Sequence, residues 1–375
     1  MRRALSLVVA AALPLAACTH HGNAILVGEV GSMTGQKATF GLSTDKGIQL
    51  AAAEINAKGG LHGRPVRVIR LDDQGKTEEA SSDTTELITE EKVVAILGEV
   101  ASSVSLQMAP IAEQDRVPMI SPSSTNVKVT QGRQYVFRVC FIDPFQGRVM
   151  ARFAKDHLKL AKVAIFRDVA NDYSTGLADV FAKTFTAAGG TIVGDESYHA
   201  GDVDFRAQLT SLKAKEPQAI FVPGYYTDVG LIAQQARGLG MTVPLLGGDG
   251  WDSEKLFEIG GQALVGSYFS DHYSVDDPSP RIRQFVAAFK ARYHGETPDS
   301  EAAEGYDAMG VLAAAIEKAP NLTGPALKDA IAATKGYDGV TGSITIDKEH
   351  NAVKPAVVLQ LAKNGHYDFV ERVQP

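Results

Sequence analysis

Short apolar runs rich in β-branched residues alternate with amphipathic stretches along almost the whole chain. The stretch 46–57 carries apolar residues at helical spacing and stops at Gly59-Gly60, whereas the run before it is typical of a buried strand. Strands that alternate with helices in this way predict an α/β fold with mainly parallel sheets. In chain order the predicted strands are 25–30, 66–71, 93–97, 117–120, 163–166, 219–222, 244–247, 264–269, 342–347, 356–361 and 367–370.

The same pattern begins a second time at Val163, which indicates two sheets of one class. The length of 375 residues fits two domains of ordinary size. No Gly/Ser-rich or charged linker separates them, and the extended stretches 138–144 and 270–274 are the candidate crossings between the domains. Asn364-Gly365 predicts a hairpin turn between the last two strands.

Composition excludes several kinds of partner. With 45% hydrophobic and 22% charged residues, the chain is an ordinary folded protein. Its formal net charge of −7 and the absence of a long basic run predict that it does not bind nucleic acid. The two cysteines, Cys18 and Cys140, lack the paired spacing of a zinc site, and Cys140 is expected to pack among its apolar neighbours.

The N-terminus predicts export from the cytoplasm. Residues 1–17 are typical of a signal peptide, with two arginines before an apolar stretch that is shorter than the ~20 residues of a membrane-spanning helix. Leu15-Ala16-Ala17-Cys18 resembles the bacterial lipobox, in which the cysteine is lipidated and becomes the new N-terminus. We therefore expect a protein on the periplasmic side of the cell envelope, anchored to the membrane by lipid on Cys18. The alternative is a plain secretory signal cut near Ala17, which would leave the protein soluble in the periplasm.

Motifs of catalytic or cofactor chemistry are incomplete. Gly75-Lys76-Thr77 has Arg70 where a P-loop needs its first glycine, and Gly238-Leu239-Gly240 lacks the third small residue of a dinucleotide fingerprint. The sequence contains neither Gly-x-Ser-x-Gly nor His-Glu-x-x-His. We expect no catalytic residue, no metal and no cofactor, and an exported α/β enzyme remains an alternative.

Polar turns follow several predicted strands. Ser102-Ser103 opens a helical stretch, where hydroxyls and free backbone N–H groups favour a carboxylate, and 121–125 is a second hydroxyl-rich turn at the same sheet edge. In the second half, 223–226 and 247–251 offer aromatic side chains and one carboxylate, Asp249, which could receive an ammonium group. Ordinary helix capping and a turn-forming aspartate are the structural alternatives.

These turns, with other segments, resemble the periplasmic leucine/isoleucine/valine-binding proteins, which are the substrate-binding components of branched-chain amino-acid ABC transporters. The resemblance runs from about Ala24 to the C-terminus. The segments that carry it are Gly31-Ser32-Met33-Thr34-Gly35, 53–63, Asp72-Asp73, Ser102-Ser103, Ser121-Pro122-Ser123-Ser124-Thr125, Gly224-Tyr225 and Gly247-Gly248-Asp249-Gly250.

The resemblance implies that the ligand's α-carboxylate lies against the first domain. Ser102 and Thr125 would hold it with their hydroxyls, helped by backbone groups around Ala101 and Ser123. From the second domain, Tyr173 and Tyr225 would reach the ligand, and Asp249 would be the acidic partner of its α-ammonium group. Phe40 would lie at the pocket for the ligand side chain, and Val100 and Trp251 are further candidates for the pocket wall.

Glu301 departs from the family, because the leucine binder has an aromatic ring near this position in its side-chain pocket. If Glu301 faces the cleft, a purely aliphatic ligand would leave a buried charge without a partner. A polar or basic amino acid, or another kind of ligand, then becomes credible. If it does not, Glu301 simply caps the helix that begins near Ala302.

The family's fold implies two Rossmann-like lobes with parallel sheets joined by three hinge crossings, known as the type I periplasmic binding protein fold. Lobe 1 would comprise 24–143 plus 273–350, and lobe 2 would comprise 144–272 plus 351–375. The implied function is that of a solute-binding lipoprotein, which captures a branched-chain-type amino acid or related small carboxylate and delivers it to an ABC permease. A ligand sensor of the same fold, which signals to a regulator, is the alternative from another class.

Overall fold

The computed structural model describes residues 23–375, so the predicted signal peptide and Cys18 lie outside the described residues. The strands are β1 Ile25–Gly31, β2 Val66–Asp72, β3 Ala95–Leu97, β4 Met119–Ser121, β5 Val136–Arg138, β6 Lys162–Asp168, β7 Thr191–Tyr198, β8 Ala219–Phe221, β9 Leu245–Gly247, β10 Tyr268–Asp271, β11 Tyr337–Gly339, β12 Gly342–Ile346, β13 Ala352–Val353, β14 Ala356–Leu361 and β15 Tyr367–Val373. The helices are α1 Ala38–Ala57, α2 Thr77–Thr89, α3 Ser102–Asp115, α4 Asp143–Arg152, α5 Asp172–Ala187, α6 Arg206–Lys213, α7 Tyr226–Gly238, α8 Glu254–Gly260, α9 Pro280–Arg292, α10 Ser300–Lys318 and α11 Gly324–Ala332.

Two large sheets carry the fold, and the predicted α/β class is confirmed. The first sheet has five parallel strands in the order β2-β1-β3-β4-β5. The second has the order β15-β14-β10-β9-β8-β6-β7, in which β14 pairs antiparallel with β10 and β15. Strands such as β3 and β8 are buried at every residue, which is why they appear in the sequence as continuous apolar runs.

Helix α1 begins at Ala38, earlier than the sequence predicted from the apolar stretch 46–57. Its first half carries small and polar residues that are nevertheless buried, because α1 packs closely against α10. A Cβ atom at Gly47 would lie 1.9 Å from the carbonyl oxygen of Ala302, and one at Gly305 would lie 2.4 Å from that of Thr44. Glycines at this contact therefore interrupt the apolar periodicity, so the sequence of the first half of α1 does not show an amphipathic helix.

The chain passes between the two halves of the molecule three times. It leaves the first sheet after β5 and enters α4, which packs against β10 and β14 of the second sheet. It returns after β10 into α9 and α10, which pack against α1, and it crosses again at Lys354-Pro355 between β13 and β14. The first two crossings lie side by side, since Phe141 of the first stacks on His272 of the second with ring centroids 3.8 Å apart.

Within residues 23–375, no helix combines the length and apolarity that crossing a membrane requires. Cys140 lies in the first crossing and is fully buried, as expected, with its Sγ 3.4 Å from the carbonyl oxygen of Ser124. Burial raises the pKa of this thiol well above its ordinary value, so it is held in the neutral form.

Candidate functional site

A small pocket lies between the two sheets, at the carboxyl ends of their parallel strands. This is the edge at which open α/β sheets bind ligands. The cavity volume is only about 10 Å³, so the walls of the pocket nearly touch in this structure. The pocket is lined by Phe40, Val100, Ser102, Ser123, Tyr173, Tyr225, Asp249, Gly250 and Glu301.

Hydroxyl groups form the wall that belongs to the first sheet. Ser102 is the first residue of α3 and lines the pocket, so the first N–H groups of that helix, which have no carbonyl partner within it, lie at the pocket edge. Its Oγ accepts a hydrogen bond from the backbone N–H of Asn126 at 3.2 Å, which leaves the hydroxyl proton available to a ligand oxygen. Ser123 follows β4 and is buried beside it. This wall suits an anion or a neutral acceptor.

Aromatic side chains form much of the opposite wall. Tyr173 and Tyr225 follow β6 and β8, and their rings stack with centroids 5.3 Å apart. The Tyr173 hydroxyl accepts a hydrogen bond from the N–H of Gly250 at 3.1 Å. Phe40 meets the Tyr225 ring edge-on at 5.9 Å. Burial raises the pKa of both tyrosines well above its ordinary value, so they present neutral hydroxyls.

Asp249 supplies a carboxylate to this second wall and is held by two other residues. Its Oδ1 accepts a hydrogen bond from Gln146 Nε2 at 2.9 Å, and its Oδ2 lies 3.1 Å from His272 Nε2. Burial alone would lower the pKa of His272, but the adjacent carboxylates of Glu304 and Asp249 outweigh burial and raise it. The imidazole is thereby favoured in its protonated form, as an ion-pair partner of Asp249.

On the side of His272 away from the pocket, further charged side chains contact one another in and near the crossings between the two halves. His272 Nδ1 lies 2.9 Å from Glu304 Oε1, and the same oxygen accepts a hydrogen bond from Lys354 Nζ at 3.2 Å. Lys354 also donates to Thr341 Oγ1 at 2.6 Å. The side chains of Asp249, His272, Glu304 and Lys354 therefore form a buried relay of alternating charge, which we call the hinge relay. It joins the pocket to the second and third crossings.

Glu301 is a second carboxylate in the pocket. The sequence left open whether it faces the cleft or caps α10, and the structure shows that it faces the cleft. Ser123 Oγ lies 2.9 Å from each of its carboxylate oxygens, and Thr44 Oγ1 lies 3.4 Å from Oε2. The cap of α10 is instead Asp299, whose side chain accepts a hydrogen bond from the N–H of Ala302 at 2.9 Å. Burial, together with nearby Glu304 and Asp299, raises the pKa of Glu301 well above its ordinary value.

Three candidate residues do not line the pocket. The N–H of Ala101 donates to Glu99 Oε2, so it is not free to help bind a carboxylate. The Thr125 hydroxyl is buried beside the carboxyl group of Asp143. The prediction that Trp251 forms part of the wall is wrong. This side chain turns into the core of the second sheet, where its Nε1 donates to the carbonyl oxygen of Val222 at 3.0 Å.

Direct hydrogen bonds hold the two walls together. The backbone N–H of Asp172 donates to Ser103 Oγ at 3.0 Å, and the N–H of Ser300 donates to Asp252 Oδ2 at 2.7 Å. The hydroxyl of Tyr226 donates to the carbonyl oxygen of Gln36 at 2.8 Å. These bonds connect elements of different sheets around the pocket, so this is a closed arrangement, and a ligand enters only if they break.

No lysine, arginine or histidine is among the described residues that line the pocket. The part of the chain that the structure describes also holds no group of three or more His, Cys, Asp or Glu side chains suited to a metal ion. A pocket with hydroxyls and the Glu301 carboxyl group on one wall and tyrosines and Asp249 on the other, set between two α/β sheets, defines the class: a two-lobed solute-binding protein.

Comparison with known proteins identifies the family within this class. The sequence model of the family described as "Periplasmic binding protein" matches residues 24–366, and the chain belongs to that family. Membership makes it a periplasmic solute-binding protein, and the family and fold predicted from the sequence are confirmed.

Individual relatives agree with this assignment. The Leu/Ile/Val-binding protein BraC3 of Rhizobium johnstonii is 30% identical over 318 residues, which are 84% of this chain and 85% of that protein. A leucine-binding protein, LivK of Thermotoga maritima, has a crystal structure with a TM-score of 0.90 and 41% identity, covering 94% of this chain and 99% of that one. The branched-chain amino-acid transporter substrate-binding protein LivJ of Streptococcus pneumoniae, solved with isoleucine, has a TM-score of 0.89 and 37% identity, covering 94% and 100%.

Of the four residues of the hinge relay, only Asp249 was predicted from the sequence to have a role. His272 falls inside the predicted crossing 270–274, but it received no role, and neither did Gln146, Glu304 or Lys354. These residues are separated by tens of positions in sequence and form no motif. The only local signal is that charged residues stand at 304 and 354 within apolar surroundings, where a buried charge needs a partner.

Proposed function

We propose that this protein captures an amino acid in the pocket between its lobes and delivers it, unchanged, to an ABC permease. The observation that carries the proposal is that Ser102, Ser123 and Asp249 lie on facing walls of one enclosed pocket. The α-carboxylate would lie against the Ser102 hydroxyl and the N-terminus of α3, and the α-ammonium group would lie against Asp249. The relatives named for Leu, Ile and Val binding support an amino acid as the ligand.

We propose the lobes as 24–143 plus 273–350 and 144–272 plus 351–375, except that β13, which pairs with β12, belongs to the first lobe and moves the last boundary to Lys354-Pro355. Each contains one of the two large sheets, and the three crossings connect them. The hydrogen bonds across the pocket would break and re-form as the lobes open and close about these crossings. A permease would then distinguish the closed, loaded protein from the open one by the shape of its surface.

The proposal is tested by thermal unfolding of the chain without residues 1–18 in the presence of individual amino acids. A ligand at 100 times its dissociation constant stabilises the protein by ~2.7 kcal/mol, which a shift in melting temperature reveals. The same amino acid as its methyl ester or its N-acetyl derivative serves as control, since each removes one of the two charges that the pocket binds. If every amino acid leaves the melting temperature unchanged, the proposed function is wrong.

We also propose that lipid on Cys18 anchors the protein to the membrane, on the basis of the Leu15-Ala16-Ala17-Cys18 segment. Replacing Cys18 by alanine is expected to move the exported protein from the membrane fraction to the soluble fraction, because the acyl chains are lost. Fractionation of cells followed by detection of the protein measures this, with Cys140→Ala as the matched control that keeps the anchor. A wild-type protein already found in the soluble fraction would contradict the anchor.

A further inference from the structure

The two carboxylates of the pocket, Asp249 and Glu301, differ in the groups that compensate their charge. Asp249 faces His272 and Gln146 and is the end of the hinge relay. Glu301 has only hydroxyl partners, Ser123 and Thr44. Among residues 23–375, no ion pair joins Glu301 to a basic side chain. The protein thus compensates the charge of Asp249. An ionised Glu301 has no compensating charge among these residues, so its neutral form is favoured until a ligand supplies a donor or a positive charge.

Glu301 also retains capacity to accept hydrogen bonds. An ionised carboxylate has about four acceptor positions on its two oxygens. A single hydroxyl, Ser123 Oγ, is shared between both oxygens at 2.9 Å, and Thr44 Oγ1 is 3.4 Å away from Oε2. Because the side chain is buried and lines the pocket, the remaining positions can be filled only by a ligand, by water or by a bound proton.

We infer that Glu301 determines specificity, and that the ligand is an amino acid whose side chain carries a hydrogen-bond donor directed at this carboxylate. The inference rests on the proposed function, since Ser102, the N-terminus of α3 and Asp249 would hold the α-groups common to all amino acids. Ammonium, guanidinium, amide and hydroxyl groups all meet the requirement. An aliphatic side chain would instead shut the carboxyl group away from water and add no partner to the two hydroxyls, which is costly.

The test is binding of amino-acid pairs that match in size and differ in a side-chain donor, measured by isothermal titration calorimetry. Suitable pairs are threonine with valine, asparagine with leucine, glutamine with methionine, and lysine with norleucine. We expect the donor in at least one pair to bind about tenfold or more tightly than its apolar partner, because a buried polar group left unpaired disfavours the wrong ligand. If every apolar member binds as tightly as its partner or more tightly, the inference is overturned.

Two variants locate the effect at Glu301. Glu301→Met is expected to remove the preference for the donor, because a side chain of similar length then offers no acceptor. Glu301→Gln keeps an acceptor oxygen without the charge, so it is expected to weaken a cationic ligand by at least about tenfold and a neutral donor by less. The control is Glu317→Gln, a half-exposed carboxylate on the same helix that lies away from the pocket.

These outcomes separate the inference from the proposed function. If amino acids bind, require Asp249 and prefer apolar side chains, the proposed function stands and the role of Glu301 is wrong. A preference for the donor that survives in both Glu301 variants also overturns that role. If Glu301→Met does not fold, Glu301→Gln and the wild-type pairs decide the question. Failure of every amino acid to bind overturns the proposed function and the inference that rests on it.

Discussion

Replacing Asp249 by alanine is expected to weaken amino-acid binding by about a hundredfold or more. Asp249 is the proposed partner of the ligand's ammonium group, and truncating one partner of a buried, hydrogen-bonded charge pair costs about 2–5 kcal/mol. Each 1.4 kcal/mol corresponds to about a tenfold change in affinity. Titration calorimetry with the tightest-binding amino acid measures the effect.

Two comparisons make this result specific to the ligand contact. Asp249→Ala also removes the acceptor of His272 and Gln146, so Asp249→Asn, which keeps a similar shape, shows whether loss of charge alone weakens binding. Asp204→Ala is the matched control, because Asp204 is an exposed aspartate whose ion-pair partner within residues 23–375 is Arg206. An affinity within threefold of wild type in both Asp249 variants would contradict the assignment of the ammonium group to Asp249.

Replacing Lys354 by methionine is expected to lower the free energy of unfolding by about 3–5 kcal/mol, the usual cost of breaking a buried ion pair from one side. Lys354 and Glu304 have fully buried side chains. Without the ammonium group, the carboxylates of Asp249 and Glu304 share one imidazolium, His272, in surroundings that exclude water. Urea denaturation at neutral pH, followed by circular dichroism, measures the loss.

The companion variants test whether charge causes the loss. The double variant Lys354→Met with Glu304→Gln is expected to recover part of the stability, because it removes both members of the pair. Lys348→Met, at an exposed position paired only with its neighbour Glu349, is expected to change little. If Lys354→Met loses less than about 1 kcal/mol, the buried charges of the hinge relay do not stabilise the fold by the expected amount.

Local pattern was sufficient for most strands of the two large sheets and for part of the site, but it missed β5 and β7. Runs such as 219–222 predicted strands because both faces of a parallel sheet are apolar, and the turn after each strand then places its polar residues at one edge. Ser102 and Asp249 lie in the pocket for that reason. Trp251 is two residues from Asp249, but a helical turn over Asp249–Trp251 directs its side chain into the core. The periodicity of apolar residues does not predict such a short turn.

The interactions that sequence could not predict are those between distant segments. The hinge relay draws on the two crossings and on α10, and only the folded chain brings His272, Glu304 and Lys354 together. Glu301 had two possible roles because a first-turn acidic residue is also typical of helix capping. In the structure Asp299 caps α10, and Glu301 lines the pocket.

A crystal structure of the protein with its tightest-binding amino acid shows directly where and in which orientation the ligand binds. We predict that the ligand lies between the two sheets, with its ammonium nitrogen about 2.7–2.9 Å from an Asp249 carboxylate oxygen. Its carboxylate should contact Ser102 at the N-terminal end of α3. A ligand bound outside this pocket, or bound with its carboxylate toward Asp249, would contradict the proposed function.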